Sequence, residues 1–326
     1  MEKQGNTRRR TTFQIRGIVP IVPTPFSSNQ EVDWDSLHAL IDFASVSGAR
    51  AVCLPAYASE FYKLAEDERR RAIAEAVVQA DGRIPVIGQV NAYSAKLAVE
   101  TALDAQRAGV DAVSVSVPRL FPLAERDILR YYDQILSAID VPLVIQDFNP
   151  GGPTVSLEFI ANLHRTHPHF RYIKLEEPQM ASKVEAIVQK TSGEVGVLEG
   201  WGGMYMLELI PAGICGVMPS LGAADLLAAV FRFAEQGRKD EAYEIFQSVL
   251  PQIVFSLQNL ELLHHAEKSL LMARGILSDV VVRDASLELS PNDRQYNFFL
   301  NNKILETLDR LNLPRNPGAS RKIEQT

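Results

Sequence analysis

Along the chain, short apolar runs alternate with longer segments whose apolar residues recur every three or four positions. The runs are GIVPIVP (17–23), AVCLP (51–55), IPVIGQV (84–90), DAVSVSV (111–117), VPLVIQD (141–147), YIKLE (172–176), VGVLEG (195–200) and GICGVMPS (213–220). Most are continuously apolar rather than alternating, which is the pattern of strands buried on both faces of a parallel sheet. Between them, 35–49, 66–82, 94–109 and 125–139 have helical spacing, and several close on the glycine that commonly ends a helix. Run starts advance by roughly 20 to 35 residues, about one right-handed βαβ unit. Eight such units predict an α/β fold, a (β/α)8 TIM barrel. A doubly wound sheet fits less well, because no GxGxxG follows the first run. The barrel is assigned to residues 15–223. Residues 224–326 read as a C-terminal α-helical extension packed on the barrel, and 1–14 as a polar, disordered tail.

Composition narrows the function classes. With 326 residues, 46% of them hydrophobic, the chain buries a large core. A formal net charge of -7 speaks against a nucleic-acid surface, and the basic cluster of arginines at 8–10 lies in the tail. No apolar run approaches the roughly 18 residues that span a bilayer, and no secretory signal is recognisable, so no membrane partner and a cytoplasmic location are expected. Cys53 and Cys215 sit in apolar segments without CxxC spacing, the setting of small buried hydrophobes.

In a barrel of this kind the chemistry lies at the C-terminal ends of the strands. Side chains two apart on a strand share a face, so Lys174 and Glu176 point one way and Leu175 the other. A lysine held in the barrel mouth is partly desolvated. Desolvation disfavours the ammonium, lowers the pKa and favours a neutral amine able to attack a carbonyl. Glu176 then either pairs with the ammonium or shuttles protons; a purely structural ion pair is the alternative. Gln146, Asp147 and Asn149 close the fifth run before PGGPT. PAYASEF (55–61) closes the second with Tyr57, Ser59 and Glu60, where Glu60 reads as a structural acceptor of the backbone N–H groups that open the next segment. EGWGGMYM (199–206) closes the seventh, its glycines around Trp201 suggesting a pocket floor. His264, His265 and Glu267 lack HExxH order, and His164, His167 and His169 fall in a polar turn, so no metal site is assigned. The absence of a GxSxG elbow speaks against a serine hydrolase.

GIVPIVPTPF, SEFYKLAEDER, VPLVIQD and YIKLEEP resemble the dihydrodipicolinate synthase and N-acetylneuraminate lyase family, from about Gly17 to past Ala242. That resemblance implies a Schiff base between Lys174 and a 2-keto acid, no cofactor beyond this covalent imine, and a homo-oligomer, tetramer or dimer. It places Tyr57, Ala58 and Ser59 in the family's carboxylate-binding loop. Gln146 stands where the family's catalytic tyrosine would be, and Arg119 and Leu120 replace the tyrosines of its partner-subunit loop. The combination of QD after the fifth strand and KxE on the sixth is similar to the L-2-keto-3-deoxyarabonate dehydratase branch. The resemblance thus implies a dehydratase of a 2-keto-3-deoxy sugar acid, with Lys174 and Glu176 catalytic and Tyr57, Ala58, Ser59, Gln146, Gly200, Trp201 and Gly202 binding substrate. An aldolase using the same imine, a dihydrodipicolinate synthase-like enzyme and a catalytically idle sugar-acid-binding barrel remain the alternatives.

Overall fold

The computed structural model describes residues 13–149 and 152–318. Strands β1 (Gly17–Ile18), β2 (Val52–Leu54), β3 (Val86–Gln89), β4 (Ala112–Ser116), β5 (Leu143–Phe148), β6 (Phe170–Glu176), β7 (Gly196–Glu199) and β8 (Gly216–Val217) pair in parallel in the order β1-β8-β7-β6-β5-β4-β3-β2. The ring closes through the parallel bridge Ile21↔Cys53, where Val22 N–H donates to the Cys53 carbonyl and Cys53 N–H to that of Pro20. Each strand is followed by a helix: α1 (Trp34–Val46), α2 (Glu66–Ala80), α3 (Ala95–Ala108), α4 (Glu125–Leu136), α5 (Leu157–Thr166), α6 (Ala181–Lys190), α7 (Met206–Ala212) and α8 (Ala224–Glu235). Local signals set their ends. Asp33 caps α1 by accepting Ser36 N–H, Ser94 caps α3 through Leu97 N–H, and Gly109 ends α3 at φ +99°.

β1 and β8 are shorter than the apolar runs 17–23 and 213–220 predict. Pro20, Pro23 and Pro219 have no N–H for the ladder, so regular pairing stops early. The extended chain continues nonetheless, with Val19 N–H on the Val217 carbonyl and Ile21 N–H on that of Pro219.

Outward-facing strand residues such as Val113, Val115, Ile145, Ile173, Leu175 and Val197 bury themselves against the helices. Inside the barrel, Cys53, Ile87, Ala112, Val144, Tyr172 and Leu198 form an apolar lower layer. Phe13 packs edge-on against Tyr172, and Ile15 N–H donates to the Tyr172 hydroxyl, so chain assigned to the tail already covers the barrel floor. The rest of the predicted tail, with the arginines at 8–10, lies outside the described residues.

α8 starts directly after the boundary expected at 223/224. α8 packs beside α7 and against β1 and so completes the eighth βα unit. The extension is α9 (Lys239–Ser256), α10 (Leu260–Ala273) and α11 (Pro291–Arg310). A buried charge cluster fastens α10 to the barrel. Glu60, held at φ 59°, accepts Lys268 Nζ at 2.5 Å, Lys63 Nζ at 3.1 Å and Arg283 backbone N–H at 3.2 Å. The structural reading of Glu60 therefore needs one correction: the N–H it binds belongs to the extension, 223 residues away in sequence, and not to the next segment. Lys63 also reaches Glu261, which accepts the Tyr62 hydroxyl at 2.9 Å. Burial lowers the pKa of Lys268 and takes that of His264 down to about 3. His264 is therefore neutral, its Nε2 2.9 Å from the Tyr62 hydroxyl. Among the described residues no group of three His, Cys, Asp or Glu is placed to hold a metal ion, and no helix is long and apolar enough to cross a membrane.

Candidate active site

Above the apolar lower layer, the inward positions of β3 to β6 turn polar. Register places Gln146 beside Ser116 on one side and Lys174 on the other, with Glu176 one step higher on β6. Lys174 Nζ lies 2.7 Å from Glu176 Oε1, and both side chains are buried. Gln146 Nε2 stands 3.2 Å from each Glu176 oxygen, so the carboxylate accepts from an amide and an ammonium together. Gln146 Oε1 in turn accepts Gln89 Nε2 at 2.5 Å and the Ser116 hydroxyl at 2.9 Å.

These groups open into a cleft at the C-terminal mouth whose empty space, counting the part open to solvent, is about 700 Å³. Tyr57, Ala58, Gln146, Lys174, Glu176, Gly200, Trp201 and Gly202 all line it. Tyr57, Phe148 and Trp201 form an aromatic wall, with ring centroids 5.3 and 6.5 Å apart in successive pairs. Trp201 belongs to this wall rather than to a floor, and its buried Nε1 has no hydrogen-bond partner. Burial, then Tyr93 and Glu176, push the Tyr57 hydroxyl up to about 12, so it stays protonated and works as a hydrogen-bonding group.

Gly200 exists for clearance. A Cβ there would stand 2.9 Å from both Leu175 O and Glu176 Oε1, and closer still to Glu176 Cγ. Glu199 faces away from the barrel axis, takes Gly203 N–H at 2.7 Å and so shapes the turn carrying Gly200 to Gly202. Complete burial raises its pKa to about 7.

Ser59 is not placed where the sequence reading put it. Its hydroxyl donates to Val22 O at 2.6 Å and accepts Ala56 N–H at 3.0 Å, it is fully buried, and it does not line the cleft. The hydroxyl is spent on bracing the loop against the chain that follows β1, so it is not free to donate to a bound anion. The N–H groups of Tyr57 and Ala58 donate to no other group among the described residues and remain available at the cleft. Asp147 points outward, where it accepts an Arg119 guanidinium nitrogen at 2.5 Å and Val155 N–H at 2.6 Å, tying the loops after β4 and β5 together.

Two sets of residues escaped the sequence reading. Gln89 and Ser116 close the third and fourth apolar runs as Gln146 closes the fifth, so the same strand-end rule had the means to find them. Leu257 and Asn259 of the α9–α10 connection and Leu260 and Leu263 of α10 form one side of the cleft. No local signal marks them.

Sequence comparison matches the Dihydrodipicolinate synthetase family over residues 14–297. The chain belongs to that family. Within it, this dihydrodipicolinate synthetase family member is 29% identical over 288 residues to the L-2-keto-3-deoxyarabonate dehydratase of Azospirillum brasilense, covering 87% of this chain and 93% of that one. The 4-hydroxy-tetrahydrodipicolinate synthase of Phocaeicola vulgatus is 27% identical, over 65% of this chain and 71% of its own. Among solved structures, the 4-hydroxy-tetrahydrodipicolinate synthase of Methylacidiphilum fumariolicum SolV superposes with a TM-score of 0.83 at 18% identity, over 92% of this chain and 99% of that one, a likeness of fold. The eight-stranded barrel with a helical extension is thus the family's architecture, and the lysine-bearing β6 lies inside the matched region.

Proposed function

We propose that the protein is a lyase that joins Lys174 to the C2 ketone of a 2-keto-3-deoxy sugar acid and eliminates water across C3 and C4 to give a semialdehyde. The observation that carries this reading is the Lys174–Glu176 pair, 2.7 Å apart inside a cleft sized for a small acid. Glu176 takes a proton from the ammonium, and the freed amine adds to C2. The carbinolamine hydroxyl leaves as water with that proton, restoring the carboxylate and leaving an iminium. Glu176 then removes a C3 proton, the C–H pair forms the enamine, and the enamine expels the C4 hydroxyl, protonated by the same carboxyl. The conjugated iminium then loses a C5 proton, the C5–H pair forming a C4=C5 enol as the electrons of the C3=C4 bond shift towards C2; C3 takes a proton, the enol tautomerises to the C5 aldehyde, and hydrolysis of the imine frees the semialdehyde and the lysine. The iminium is the electron sink, so the scheme draws on no metal or organic cofactor.

Similarity to the Azospirillum dehydratase along most of both chains favours elimination over carbon–carbon cleavage. So does Gln146, an amide where a tyrosine hydroxyl would serve the synthase branch. The Tyr57 and Ala58 N–H groups suit the substrate carboxylate, and the unpartnered Trp201 Nε1 suits a substrate hydroxyl. Exposed Leu120, Phe121 and Leu123 after β4 support association with a second copy. The test is incubation with pyruvate, borohydride reduction and mass spectrometry, expecting an adduct on Lys174 that is missing in Lys174→Ala. Turnover of 2-keto-3-deoxy pentonates and hexonates should then yield a semialdehyde; pyruvate as product would assign an aldolase instead. If no 2-keto acid in a broad panel gives an adduct, the lyase reading fails.

A further inference from the structure

We propose that Gln89 is a positioning residue: through Gln146 it sets the direction of hydrogen bonding onto Glu176, and so holds the base for the C3 proton step. This rests on the imine chemistry above and deepens it. The direction begins at a group that cannot flip. Ser116 backbone N–H donates to Asn91 Oδ1 at 2.8 Å, which fixes that amide with its oxygen inward. Gln89 meets Asn91 Oδ1 at 3.2 Å, and an oxygen can only accept, so Gln89 must present its NH2 group there. The same NH2 lies 2.5 Å from Gln146 Oε1. Gln146 therefore presents its own NH2 to both Glu176 oxygens.

Flipping Gln146 would set its carbonyl against the carboxylate and its NH2 against that of Gln89. Acceptor would face acceptor at one end and donor would face donor at the other. Gln89, Ser116 and Gln146 are all buried, so water does not repair such a mismatch. Cys53 Sγ, 3.5 Å from Gln89 Oε1, is a weak donor on the remaining side and agrees with the same orientation. The chain from Ser116 N–H through Asn91, Gln89 and Gln146 thus delivers donors to Glu176, the arrangement that keeps a carboxylate aimed and ready to accept a proton.

Two substitutions separate polarity from packing. Gln89→Glu keeps the shape but offers Gln146 an acceptor; Gln89→Met keeps most of the volume and offers neither donor nor acceptor. Both are read in two ways on the full-length protein with pyruvate: the extent of borohydride trapping at Lys174 after the imine has equilibrated, which does not depend on how fast Glu176 moves protons, and the rate of exchange of the pyruvate methyl protons in D2O, which needs Glu176 to remove a C3 proton from the imine and return a deuteron. The expected result is trapping within about threefold of wild type and methyl exchange reduced about 10- to 100-fold in both variants, less than the roughly 100- to 10,000-fold of a general base lost outright because Glu176 itself remains, with Gln89→Glu the worse of the two. Exchange within twofold of wild type in either variant overturns the proposal. Parallel loss of trapping and exchange in both also overturns it, since Gln89 would then serve the fold. Absence of trapping in the wild-type protein is a different failure, that of the lyase reading itself.

Discussion

Replacing Lys268 with methionine removes the cation facing Glu60 while leaving most of the side-chain volume. The Glu60 and Lys268 side chains are each 1% exposed, so the carboxylate has no water to turn to when its partner goes. Cutting one member out of a buried pair costs about 3–5 kcal/mol. Lys63 Nζ at 3.1 Å and Arg283 N–H at 3.2 Å still hold the other oxygen, which puts the expected loss at the lower end, about 3 kcal/mol. Lys268 also donates to Val281 O at 2.7 Å and stands 4.5 Å from the Phe26 ring centre, contacts methionine does not replace. At roughly 2 °C per kcal/mol for a chain of this size, Tm should fall by about 6 °C. Thermal melts and urea transitions of wild type, Lys268→Met, Glu60→Gln and the double variant give a complete cycle. The double variant is expected to cost at least about 1 kcal/mol less than the sum of the singles, because each single strands the partner that the other removes. A Lys268→Met protein within 1 kcal/mol of wild type, or an additive cycle, would refute the assignment of this pair as the fastening of the extension.

Gly200→Ala should push the Glu176 carboxylate out of place and lower kcat about 100-fold, the scale of an ångström-sized displacement of a reacting group; steady-state kinetics decide, and an unchanged kcat counts against the clearance role. Ser59→Ala should cost about 1–3 kcal/mol in urea unfolding, because Ala56 N–H and Val22 O both lose a buried partner, while trapping at Lys174 persists. If trapping disappears with stability intact, Ser59 belongs to the chemistry after all. Glu267 is buried, and burial raises its carboxyl from 4.5 to about 7, with Gly222 N–H at 2.7 Å as a partial offset. A folded pKa above the unfolded one means stability that is complete below about 4.5 and lost as pH rises through 7, up to about 3 kcal/mol. In Glu267→Gln the loss between pH 5 and 8.5 should shrink by that amount; an unaltered pH slope speaks against it.

The barrel was legible because strands buried on both faces leave unbroken apolar runs, and each of the eight runs overlaps one observed strand. Prolines trimmed β1 and β8, a backbone effect the apolar pattern does not register. α8 falls on the extension's side of the expected boundary because nothing in its sequence tells a helix that closes a βα unit from one that follows it. At the site, the two-residue period of a strand was enough to bring Lys174 and Glu176 onto one face, and Gln146, legible as a strand end, joins them through the β5–β6 register. The family motif did not place Ser59 at the cleft, because its hydroxyl is claimed by Val22, 37 positions earlier. It could not reach Leu257, Asn259, Leu260 and Leu263 at all, since they meet the cleft only through the packing of α9 and α10 on the mouth.

Those four positions divide the labour of the molecule. Everything that would make and break bonds rides on strands whose register is locked by their neighbours, whereas part of the chamber's ceiling is borrowed from helices outside the repeating βα scheme. Lengthening or shortening the turn at Asn259 would resize the chamber without disturbing the lysine. Diversification of substrate range among kindred barrels can therefore proceed at the ceiling while the reacting groups stay put.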